Sequence, residues 1–232
     1  MMKKLLTLVL LIALVATPVA SFAKKKSEIP QTTVEGLVLI PDTKEIAFVW
    51  AEPGADLSQY NRIYLVEPEV AFKKNWKRDQ NRGSANRLNK VTSSDMERIK
   101  KDVAALFMEV FTEELTAGGY TLTQERAEDV LLVTPAIIDL YVTAPDVQSA
   151  ARSNSFSTSA GSMTLYMKLY DSETDDLLAK ALDPTSDRDT GMMQWSTSVS
   201  NKAAARRMMK PWAEALRGGL DESRRATGQD QE

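Results

Sequence analysis

The 232-residue chain contains no cysteine and no histidine. The first absence excludes disulfides, thiolate nucleophiles and cysteine-ligated zinc. The second removes the usual base of Ser-His-Asp sites and the imidazole of ordinary zinc centres. No Ser-x-x-Lys or Gly-x-Ser-x-Gly string stands in a setting that suits a nucleophile. Long apolar runs are equally scarce. The single candidate, Leu5 to Val15, is interrupted only by Thr7. A membrane span needs about 20 apolar residues to cross roughly 30 Å of hydrocarbon, so this run is too short.

What surrounds that run reads as an export address. Lys3 and Lys4 precede it, Pro18 ends it, and Ser21-Phe22-Ala23 places small residues where a signal peptidase reads. The expectation is a signal peptide over 1–23, cleaved after Ala23, and a periplasmic chain. With no thiol to acylate, no lipid anchor is expected. Residues 24–33 read as a flexible leader, 34–225 as a single domain and 226–232 as a disordered tail. Removing 1–23 leaves 27 Lys and Arg against 32 Asp and Glu, a net of −5. An acidic exported chain is a poor nucleic-acid binder, and no such partner is expected.

The elements follow from periodicity. Val34 to Ile40 is apolar but ambiguous as a strand, because Glu35 and Gly36 interrupt it. Glu45 to Trp50 and Arg62 to Val66 read as strands, separated by the Pro53-Gly54 turn. Residues 94 to 117 carry the clearest helix. Ser94 and Glu97 fit a capping box, and Met96, Ile99, Val103, Leu106, Phe107, Val110 and Phe111 recur at helical spacing. Gly118-Gly119 ends it. Tyr120 to Thr123 suits a short strand and Val130 to Val142 a long one; Pro135 implies an edge position or a bulge. Ser149 to Ser162 is a low-complexity connection. Met163, Leu165, Met167 and Leu169 alternate with polar residues, and Leu177 to Leu182 returns the chain as a hairpin. Pro184 to Gly191 reads as a loop. From Asn201 the composition is helical, with Pro211 kinking the helix or starting a second one. The fold class expected is α/β: a mixed, largely antiparallel sheet covered by two amphipathic helices.

Four stretches in this order carry a resemblance: "DLSQYNRIYLVEPEVAF", "VLLVTPAIIDLYV", "LYDSETDDLLA" and "PWAEALRGGLD". Together they resemble the bacterial envelope family DUF3313, a domain of unknown function, over most of residues 36 to 222. The resemblance implies an exported domain and supplies no catalytic residues. Many members look like lipoproteins with a cysteine after the signal; this chain departs from them.

Three segments could carry chemistry. Asp171, Glu173 and Asp175 alternate as calcium ligands do, but Asp176 stands where an EF-hand loop needs Gly and Leu182 where it needs Glu, so a polar hairpin turn is expected. Met192, Met193, Met208 and Met209 with Trp195 and Trp212 could form an adaptable face, although helical spacing makes Met208 and Trp212 core residues. The third is "FKKNWKRDQNRGSANRLNK", residues 72–90, read mostly as loop. Its Lys73, Lys74, Lys77, Arg78, Arg82, Arg87 and Lys90 oppose only Asp79. Such a run is either a solvated loop whose Trp76 tucks into the core, or a steering surface with Trp76 as its anchor. The functional expectation is a non-catalytic, cofactor-free binding domain that meets an envelope protein or an anionic envelope component through this set. The alternative is a hydrolase of an envelope polymer using paired carboxylates, recognisable by two buried acids about 5–10 Å apart.

Overall fold

The computed structural model describes residues 29–82, 90–145, 155–157, 159–188, 194–196 and 198–228. The expected signal peptide, Arg87, Met192 and Met193 lie outside the described residues. The strands are β1 (Val38–Leu39), β2 (Phe48–Ala51), β3 (Arg62–Leu65), β4 (Glu69–Phe72), β5 (Thr121–Leu122), β6 (Val130–Val142), β7 (Ser155–Ser157), β8 (Gly161–Asp171), β9 (Leu177–Ser186) and β10 (Gln194–Ser196). The helices are α1 (Trp76–Arg82), α2 (Ser93–Ala117) and α3 (Ser198–Thr227).

Eight strands form one mixed sheet in the order β1-β2-β9-β8-β6-β3-β5, with β4 also paired to β6. The β6–β8 and β8–β9 ladders are antiparallel, whereas β3 and β4 run parallel to β6. β7 and β10 form a separate antiparallel pair. This is the α/β sandwich with a mixed, largely antiparallel sheet that the periodicity calls for, its open sheet lined by amphipathic helices.

Strand alternation decides which face is dry. Along β8, Met163, Leu165, Met167 and Leu169 are buried while Thr164, Tyr166, Lys168 and Tyr170 are half-buried on the opposite face. The buried row joins Ile63, Val133 and Ile137 and meets Leu106, Phe107, Val110, Phe111 and Leu115 of α2. Met209, Trp212, Leu216 and Leu220 of α3 complete this core. Ion pairs lock the two helices together: Glu109 receives Lys202 and Arg206, Glu113 receives Arg206, and Glu114 receives Arg217.

The opposite face is partly covered by residues 29–40. Glu35 pairs with Lys180 at 2.5 Å, the Trp50 indole donates to the Pro30 carbonyl at 2.8 Å, and Leu37 is buried. The stretch assigned to a flexible leader is therefore docked at its C-terminal end. Lys180 and its neighbours hold the Glu35 carboxyl down to about 2.

Several expectations are corrected by the physics of the ladder. β6 is a central strand, not an edge. Its neighbour β3 stops opposite Val133 and β4 begins opposite Ala136, so Pro135 falls in the break and deprives no partner of a donor. The β6 bulge lies further on, between Ile138 and Tyr141, where Asp139 has φ +51°. The α2 cap is built two residues earlier than the motif suggested. Thr92 accepts from the Asp95 amide, and Asp95 accepts from the Thr92 amide at 2.9 Å. Asp is shorter than Glu but closes the same reciprocal pair. β9 extends to Ser186, and α3 is one helix with Pro211 inside it that reaches Thr227, past the boundary given to the tail.

Candidate functional site

Residues 76–82 form a helix, not loop, because their one buried side chain is tied down at both ends. Lys73 accepts from the Trp76 amide to begin the turn. The Trp76 ring stacks on Phe72 with centroids 4.2 Å apart, and its indole donates to the Val142 carbonyl at 3.1 Å. Gln80 donates to the same carbonyl at 2.9 Å. Asn81 holds both the amide and the carbonyl of Val91, which brings the chain back toward α2. Trp76 is 2 % exposed, so it anchors α1 to β6 and offers no face to a partner. That corrects its role as a contact residue: a large aromatic with a satisfied N–H has more to gain in the core.

The cations behave differently. Lys73, Lys74, Arg78, Arg82 and Lys90 are exposed and Lys77 is half-buried. Arg78 and Arg82 share Asp79. Lys77 donates to the Ser93 hydroxyl at 2.8 Å, and the Lys73 amine stands 5.9 Å from the centroid of the Tyr141 ring. Among the described residues no carboxylate pairs with Lys73, Lys74, Lys77 or Lys90.

Beside α1 lies a feature that the sequence did not announce. The start of α3 and the first half of α2 separate over the end of the sheet and leave a cleft of about 360 Å³. Ile99, Val103 and Leu106 form one wall, Ala205 and Met208 the other, and Leu140, Val142 and Met163 the floor. Gly161 makes the floor possible. It has φ +144°, and a Cβ there would lie 1.8 Å from the Tyr141 carbonyl oxygen. Charged groups stand at the rim. Arg98 bridges to Asp95 at 3.1 Å, and Lys202 and Arg206 hold the Glu109 carboxyl below its ordinary value. On the opposite face of the sheet, Ser162 and Thr164 border a second hollow of about 330 Å³, of mixed polarity and lined also by Lys73, Asp139, Met163, Pro184, Thr185 and Ser186. One signal pointed here: Ile99 and Val103 belong to the apolar stripe of α2 yet stay half-buried, because the sheet ends before it reaches them.

Among the described residues one carboxylate, Asp95, is buried, and its oxygens serve the α2 cap and Arg98. The Asp171–Asp176 segment is a hairpin turn. Asp171 accepts from the amides of Glu173 and Thr174, Asp175 takes φ +62° and pairs with Arg126, and Thr174 donates to Asp176. Met209 and Trp212 are core, whereas Met208 lines the cleft.

The geometry describes an open-sheet α/β domain with an apolar cleft of balanced rim charge and a separate set of exposed cations on and around α1. The family match is specific: a model described as "Protein of unknown function (DUF3313)" covers residues 38–216, and the chain belongs to this family. No curated protein matches the sequence. Among solved structures, a PelC dodecamer from Paraburkholderia phytofirmans aligns at 8 % identity and TM-score 0.35, over 72 % of this chain and 96 % of that one. Protein XCC0632 from Xanthomonas campestris, of family DUF330, aligns at 11 % and 0.37, over 76 % and 92 %. A DUF4136 family protein from Bacteroides thetaiotaomicron aligns at 9 % and 0.34, over 81 % and 97 %. No helix among the described residues is long and apolar enough to cross a membrane.

Proposed function

We propose that this protein is a non-catalytic binding module of the bacterial cell envelope that engages an anionic envelope component through the cations on and around α1. One observation carries the reading: Lys73, Lys74 and Lys77, which pair with no carboxylate among the described residues, gather on and around a short helix tied to Val142, in a chain whose net charge is −3. Local cationic charge on an acidic molecule orients it toward a negative surface. The export signal read over 1–23 supports a periplasmic location. The paired-carboxylate hydrolase lacks support, since the described residues hold no second buried acid to face Asp95.

The test is co-sedimentation with phosphatidylglycerol vesicles against phosphatidylcholine vesicles, at low and high salt. The wild type pellets with the anionic vesicles at low salt and is released by high salt. Reversing Lys73, Lys74, Lys77 and Arg78 to Glu abolishes capture. Capture that ignores both salt and reversal overturns the proposal, and capture of an envelope protein alone by cross-linking in intact cells would transfer the surface to a protein partner.

A further inference from the structure

We infer that the hollow beside Lys73 is a binding site for a small zwitterion of the amino acid or dipeptide class, its ammonium meeting Asp139 and its carboxylate Lys73. The site goes beyond the surface reading above and shares only Lys73 with it. The bulge in β6 supplies the first observation. Ile138 pairs with Thr164 and Tyr141 with Ser162, so Asp139 and Leu140 together oppose Met163. Leu140 takes the core-facing place and is buried. Asp139 is the extra residue, exposed and held at φ +51°. Such bulges re-aim single side chains. Among the described residues, the other non-glycine positions with positive φ are Asp42, Asn75 and Asp175, and all three lie in turns. Asp139 alone takes this conformation inside a strand, where it is strained.

The second observation is the charge. Lys73 and Asp139 border one hollow, and among the described residues neither forms an ion pair, with the other or with a third group. The Lys73 amine stands 5.9 Å from the centroid of the Tyr141 ring, which leaves its charge uncancelled. An anion alone would bring its charge up against Asp139, and a cation alone against Lys73. A neutral ligand would strip water from both charged groups and return no partner to either. A ligand of both signs answers both. The strand register adds neutral polar groups, since Ser162 lies opposite Ser186 and one strand face carries Ser162 and Thr164. Their hydroxyls can donate to or accept from a peptide group. A volume of about 330 Å³ stands at the small end of the range for ligand pockets and suits a dipeptide.

The experiment is an NMR titration of the purified protein with alanylalanine, with N-acetyl-alanylalanine, which lacks the ammonium, and with alanylalaninamide, which lacks the carboxylate. The expected result is saturable one-to-one binding of alanylalanine that shifts the amides of Ser162, Thr164 and Ser186. Each blocked analogue binds about tenfold more weakly, the order expected for one lost charge-assisted hydrogen bond. Asp139→Asn keeps a residue type that accepts positive φ, weakens alanylalanine and erases its advantage over the acetylated analogue. Lys73→Gln erases its advantage over the amide. Ser186→Trp, from an exposed position on the rim, blocks all three ligands. Circular dichroism confirms that each variant is folded; should Asp139→Asn unfold, Asp139→Gly replaces it. Absence of saturable binding, shifts confined to residues away from the hollow, or wild-type affinity in Ser186→Trp overturns the site. Equal binding of all three ligands overturns the charge assignment. If alanylalanine does not bind while charge-dependent vesicle capture persists, this site alone fails; if capture is charge-independent while alanylalanine binds, the functional proposal alone fails.

Discussion

The indole N–H of Trp76 donates to the carbonyl of Val142 over 3.1 Å, tying the basic helix α1 to the strand that floors the apolar cleft. Trp76→Ala removes a fully buried ring and leaves that hydrogen bond to Gln80 alone. It is expected to cost about 3–5 kcal/mol. Lys74→Glu, on the exposed side of the same segment, is expected to stay within about 0.5 kcal/mol of wild type. Urea denaturation separates the two, and equal effects would show that α1 is not held through its tryptophan.

Gly161 is the tightest backbone approach at the cleft. Alanine there meets both the Tyr141 carbonyl and an unfavourable φ, so Gly161→Ala is expected to destabilise by about 3 kcal/mol or more. Alanine at Gly54, which has positive φ but open space around it, is expected to cost less. Thermal midpoints of the two variants give the comparison.

The helix cap discriminates between two registers. Thr92→Ala removes the side chain that accepts from the Asp95 amide and should cost about 1 kcal/mol. Ser94→Ala, one turn-position inside the helix and exposed, should be neutral. A reversed order in chemical denaturation would return the cap to Ser94.

Glu35 supplies a pH signature. Its folded value, held near 2 by Lys180, lies below the ordinary 4.5, so the unfolded chain binds its proton first as pH falls. The contribution is present above about pH 4.5 and is lost as pH drops through about 2. Glu35→Gln should therefore lower the urea midpoint at pH 7 and converge with wild type near pH 2. Identical midpoints at neutral pH would mean that the Glu35–Lys180 pair leaves residues 29–40 no better docked.

Periodicity made β8 and α2 legible because each buries one face, and β6 was legible as a continuous apolar run because its first half is buried on both. Leu165 and Phe107 mark that face as clearly in the sequence as in the fold. Pro135 misled, since the rule that excludes proline from central strands assumes an unbroken neighbour, and β3 and β4 are two pieces. Residues 76–82 misled for another reason. Seven residues with one apolar side chain have no amphipathic stripe to read, and the helix depends on Val142, 66 residues away, to accept from Trp76. The cleft was hidden because it is where α2 and α3 fail to meet the sheet. Half-buried Ile99 and buried Phe107 share one stripe, and only the length of β6 and β8 tells them apart.

The interrupted flank of β6 has a mechanical consequence. On that flank residues 130–133 lean on β3 and residues 136–140 on β4, with a seam at Pro135 that only the β8 ladder on the other side spans. Deuterium uptake should accordingly resolve two blocks within this one strand, letting the cleft-bearing end breathe while the end beside Tyr60 and Tyr120 stays shut.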